Sequence, residues 1–173
     1  LLKVVSLSFS CLVVLILGSL IANIAVATTL SVDAQERGIN STCSTYLGQL
    51  EESYDLNGLN ITFAHPGDPS IYPSLHVSSK KYNNGSSVFS ANLSPDGEYC
   101  YVSTVIVSSV NTQSCHDITE LRISEDSTLK VSVYADGEYT IITPEYDSYQ
   151  IILISSEDQS CTMIESRMMW PGR

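Results

Sequence analysis

Residues 11–38 read "CLVVLILGSLIANIAVATTLSVDAQERG", and the treatment of its apolar part decides the fold. From Val4 to Val32 the one ionisable side chain is the thiol of Cys11. About 20 such residues span a bilayer as a helix, and the run passes through a polar turn to Gly38, a natural helix stop. One helix of about 37 residues and ~55 Å is the expectation. Ala25-Val26-Ala27 also has the small-x-small form of a secretory cleavage site, with Lys3 as a positive start. The apolar run exceeds the usual signal core of about 7–15 residues, and a chain beginning at Leu1 reads as a mature one that keeps the segment.

Charge places a seam at the same point. Every acidic residue, and every basic one except Lys3, lies from Asp33 onward, and all ten Tyr lie beyond residue 40. Residues 1–37 are read as the hydrophobic helix and residues 38–173 as an extracellular β-rich domain, large enough to bury a core. A net charge of −11 repels phosphate backbones and anionic headgroups, so nucleic acid is a poor partner.

Beyond the apolar segment stand Cys43, Cys100, Cys115 and Cys161, an even number that suits two disulfides in an oxidising compartment. Buried free thiols are the alternative. Three connectivities exist; chain proximity and closure of the domain ends favour Cys100–Cys115 with Cys43–Cys161. Asn-x-Ser/Thr sequons at Asn40, Asn60, Asn84 and Asn92 also point outside the cytoplasm, as candidate N-glycosylation sites.

Short β-type runs follow residue 38: "NITFA", "SLHVSS", "SSVFSANL", "EYCYVSTVIVSS", "TLKVSVYA", "EYTIIT", "YQIILIS" and "CTMIES". Turn signals at Pro66-Gly67-Asp68, Asn83-Asn84-Gly85, Pro95-Asp96-Gly97 and Asp136-Gly137 separate them. Seven to nine strands argue for an antiparallel, Ig-like sandwich, making the whole chain α+β. "DGEYCYV" from Asp96 echoes "DGEYTII" from Asp136, which reads as the same turn chemistry used twice. Leu47, Leu50 and Tyr54 have the spacing of a short helix.

Chemistry is sparse. His65, His76 and His116 belong to no HExxH pattern, and no GxSxG, GxGxxG or GxxxxGK[ST] occurs. Glu51-Glu52 and Glu157-Asp158 read as solvated pairs. Asp68, Asp96, Asp136 and Asp147 occupy turn-like positions without an EF-hand or calcium repeat. No enzyme activity, cofactor or metal is expected.

A hydrophobic start, "LLKVVSLSFSCLVVLILGSLIANIAVATTLSVDAQERG", followed by a β-rich polar domain resembles the type IV pilin superfamily, in particular archaeal pilins and archaellins. Val5 stands where bacterial members usually carry Glu, and Lys3 is atypical of either branch. The resemblance implies a subunit that waits in the membrane and then assembles into an extracellular helical homopolymer, serving adhesion or motility. It implies core packing by Val4, Leu7, Cys11, Val14, Leu15, Gly18, Ile21, Ala22 and Ala25, where small residues admit close helix approach. The other reading is a secreted or membrane-anchored β-sandwich binding protein, with the segment as signal or anchor.

Overall fold

The computed structural model describes residues 28–145 and 149–169. Among the described residues three α-helices, α1 (Leu30–Glu36), α2 (Ser41–Tyr54) and α3 (Cys115–Glu125), accompany eight strands. The strands are β1 (Leu59–Phe63), β2 (Ser74–Tyr82), β3 (Gly85–Asp96), β4 (Tyr99–Val110), β5 (Lys130–Tyr134), β6 (Tyr139–Thr143), β7 (Tyr149–Ser155) and β8 (Cys161–Met169). They form one antiparallel sheet in the order β1-β2-β3-β4-β8-β7-β6-β5.

That sheet corrects the expected sandwich. Each of the eight β-type runs does become a strand, but β4 and β8 pair over nine residues, from Val102↔Met169 to Val110↔Cys161. This pairing joins what would have been two layers edge to edge. The result has an internal logic: α2 leads the meander β1 to β4, α3 leads the meander β5 to β8, and the halves meet through their fourth strands. The Asp-Gly echo does not mark this repeat, since Asp96-Gly97 links β3 to β4 while Asp136-Gly137 links β5 to β6.

The long helix is corrected too. Thr29 has extended backbone (φ −64°, ψ 155°), and its hydroxyl accepts the Val32 amide at 3.3 Å, so α1 starts afresh at Leu30. At the far end Gly38 adopts φ +76°; its amide reaches Gln35 O and that of Ile39 reaches Ala34 O, each at 3.0 Å. This is the two-bond C-terminal cap that favours glycine, with Ala34 and Ile39 supplying its apolar contact. Among the described residues no helix is long and apolar enough to cross a membrane. Residues Val4 to Ala25, assigned above to a filament core, lie outside the described residues.

All three helices cover one face. Leu30, Ala34, Ile39, Cys43, Leu47 and Leu50 close over Phe89, Ala91, Leu93, Cys100 and Val102. A second cluster sets Cys115 and Ile118 of α3 on Ile142, Ile151, Leu153 and Cys161. Each such burial contributes about 1.5–3 kcal/mol for a large aliphatic side chain. Leu30 and Ala34, fully buried, make α1 part of this core.

Each cluster is crossed by one disulfide, Cys43–Cys100 from α2 to the start of β4 and Cys115–Cys161 from α3 to the start of β8. The expected pairing is therefore wrong in both members. Cys100 is the second residue of β4 and Cys115 follows its far end, so the ten steps from Cys100 to Val110 set the two ends about 34 Å apart at ~3.4 Å per residue. Proximity along the chain is not proximity in a strand.

Among the described residues no helix covers the opposite face. Because side chains alternate, register sets Val88, Val107, Ile164, Ile152 and Ile141 in direct line across five strands on that face. Val88 and Val107 are 42% and 37% exposed.

Candidate functional site

The most enclosed polar group is His76, fully buried in β2. β2 is inverted relative to its pattern: it turns Ser74, His76 and Ser78 inward toward α1 and β1, and leaves Leu75 exposed. Around the imidazole, Ser74 Oγ lies 2.9 Å from Nε2 and Thr62 Oγ1 3.3 Å from Nδ1. The Thr62 hydroxyl hydrogen-bonds Asp33, which Arg37 holds through Nε at 2.9 and 3.0 Å.

One proton arrangement satisfies the whole chain. With Thr62 O–H donating to Asp33, His76 Nδ1–H donates to Thr62 Oγ1, and Nε2 accepts the Ser74 hydroxyl. The imidazole is then neutral. Burial pushes its pKa down to about 4, against the pull of Asp33. For Asp33 burial alone raises the pKa, but hydrogen bonds from Thr62 and Arg37, with the charge of Arg37 and, only once it is protonated, that of His76, hold it below the ordinary value.

A hydroxyl on an imidazole oriented toward a carboxylate has the order of parts of a nucleophilic relay. Access is what it lacks, since Ser74 is 3% and His76 0% exposed. The arrangement does the work of a polar joint fastening α1 to β1 and β2. Glu51 fastens the same helix from α2: its carboxylate accepts the Leu30 and Ser31 amides and the Ser31 hydroxyl, satisfying free donors at the start of α1. Sequence reading treated Glu51 as solvated and did not connect Asp33, Thr62 and Ser74 with His76.

The other candidates are dispersed. Exposed His65 accepts the amides of Gly67 and Asp68 at 3.3 and 3.0 Å and stacks on Tyr72 at 4.3 Å, shaping its own loop. His116 is exposed in the first turn of α3. Asp158 accepts the Ser160 amide and hydroxyl at 3.1 and 2.7 Å, bonds that lower its pKa, while Glu157 and Glu52 are exposed. Asp68, Asp96 and Asp136 lie in separate connections, and among the described residues no three His, Cys, Asp or Glu converge as metal ligands. Asp147 lies outside the described residues.

The four sequons differ sharply. Asn84 is exposed in the β2–β3 turn, and Asn92 is exposed on the face opposite the described helices. Asn40 caps α2, accepting the Thr42 and Cys43 amides at 2.9 and 3.3 Å. Asn60 is half-buried: its Nδ2 donates to Thr28 O at 3.2 Å and its Oδ1 is buried without a partner.

No family model, curated protein or solved structure matches this chain.

Proposed function

We propose that this chain is a structural, non-catalytic subunit of an extracellular filament of the pilin-like kind its sequence resembles, membrane-inserted before assembly. The observation that carries the reading is the join between the apolar segment and the domain. Only Thr28 and Thr29 separate Ala27 from α1, and α1 is fixed by buried Leu30 and Ala34, by Glu51 and by the Asp33–Thr62–His76 chain. Self-association of the segment would therefore act on the domain through a join whose described part is two residues long. The two disulfides suit an oxidising exterior.

Replacing Leu15 or Ile16 by Asp tests this reading, because a carboxylate in an apolar helix bundle is costly. The expected result is loss of filaments from the cell surface with the disulfide-bonded domain still folded. Normal filaments from that variant overturn it.

A second reading rests on Thr28 following Ala25-Val26-Ala27 directly. Cleavage there keeps the Thr29 cap and all of α1, and releases a secreted β-domain that acts by binding. The amino-terminal sequence of the surface protein separates the two: a start at Thr28 selects secretion.

A further inference from the structure

We propose that two copies of this chain associate face to face through the side of the sheet opposite the described helices. This inference goes beyond the filament reading and does not depend on it.

An unbroken apolar row crosses five strands of this face. Val88, Val107, Ile164, Ile152 and Ile141 form its central row, and the adjacent row contributes Ile61, Val77 and Val105. β2 sends Leu75 and Val77 to this side while burying Ser74, His76 and Ser78 on the other, the reverse of the usual arrangement for a strand with one wet face. That inversion puts apolar area where none of the described elements of this chain covers it.

Charge selects a second copy as the occupant. The chain carries a net charge of −11, so two copies repel over most of their surfaces. On this face the strands place no acidic residue except Asp96 at the end of β3, and Lys81 and Lys130 also stand at strand ends. It is the surface on which two acidic molecules can meet without opposing carboxylates. Interface cores are likewise depleted of charge.

Size agrees. Eight strands spaced ~4.8 Å span about 34 Å, and four rows of outward side chains span about 20 Å, a footprint of about 700 Å². A standard interface buries about 800 Å² per partner. The row is centred on Ile164 of β8, beside the β4–β8 seam where the two helix-plus-meander halves meet, and a two-fold axis lying along the row sets each residue against its own copy. Sheets pack this way at ~10 Å separation.

Asn92 gives the proposal a sharp edge, because its sequon lies on this face, opposite Leu75 and Ser103. A glycan there would occupy the space the second copy needs.

The test uses the full chain in detergent solution, with mass read by sedimentation, alongside V88E/V107E and, separately, Val107→Cys with Thr45→Cys on the helix side as control. Expected are a dimeric parent, a dissociation constant raised at least about 100-fold in the charged variant, and a covalent dimer from Val107→Cys but not from Thr45→Cys. A monomeric parent, an equally dimeric folded V88E/V107E, equal cross-linking by both cysteines, or an Asn92 glycan in the intact mass each overturns the proposal. If the charged variant fails to fold, the cysteine pair decides alone.

Discussion

The Ser74 hydroxyl sits 2.9 Å from Nε2 of His76, inside the layer between α1 and the sheet, and it can donate there only while the imidazole is neutral. Unfolding returns His76 to a pKa near 6.5, whereas the folded value is about 4. The unfolded chain therefore binds the extra proton first as pH falls, and stability drops between about pH 6.5 and 4, by on the order of 3 kcal/mol in total. Above pH 6.5 this contribution is fully present. Urea midpoints at pH 7.5 and 4.5 check it, and an unchanged midpoint would remove His76 from the account.

Non-reducing peptide maps should join Cys43 to Cys100 and Cys115 to Cys161. Replacing Cys115 and Cys161 together by Ser should lower stability by about 2–5 kcal/mol, with α3 the first segment to gain amide exchange. A Cys100–Cys115 peptide in the map would contradict the fold itself.

Ser114 opens α3 with reciprocal bonds: its hydroxyl accepts the Asp117 amide at 3.2 Å, and its own amide donates to Asp117 Oδ2 at 3.2 Å. Ser114→Ala should cost about 1 kcal/mol, measured by thermal melting, while Ser127→Ala, exposed and outside any helix, should leave the melting point within error.

Of the sequons, Asn84 is exposed in a turn, whereas Asn60 is half-buried with its Oδ1 enclosed and Asn92 lies on the face proposed to pair. Mass shifts on single Asn→Gln variants should therefore appear for Asn84 and be absent for Asn60 and Asn92. A glycan at Asn60 would mean that β1 is open when modification occurs.

Leu153 is completely buried beneath α3. Leu153→Ala should destabilise the domain by about 2–5 kcal/mol, far more than Val133→Ala on the exposed edge strand β5. Denaturant titration of both variants reads the difference.

Local pattern made the strands legible, and Leu47, Leu50 and Tyr54 made α2 so. α3 carried a readable signal in Ser114-x-x-Asp117, but its buried positions, Cys115, Ile118 and Thr119, form too small an apolar stripe to stand out. The single sheet was hidden for a different reason. Alternation in a run such as "SLHVSS" tells which residues share a face, not which face is buried, and here the polar set went inside. The His76 cluster was equally hidden, since Asp33 and Thr62 reach it through tertiary packing of α1 and β1.

The two disulfides follow one another along the chain without overlapping, and this has a mechanical consequence. Tension between the start of α1 and the end of β8 would travel through Cys43–Cys100 and Cys115–Cys161, bypassing loops of 57 and 46 residues. At about 3.5 Å per residue those loops would withhold roughly 200 Å and 160 Å of contour length. A stretched domain could then lengthen only through the short segments outside the loops, and would act as a tether with a built-in stop.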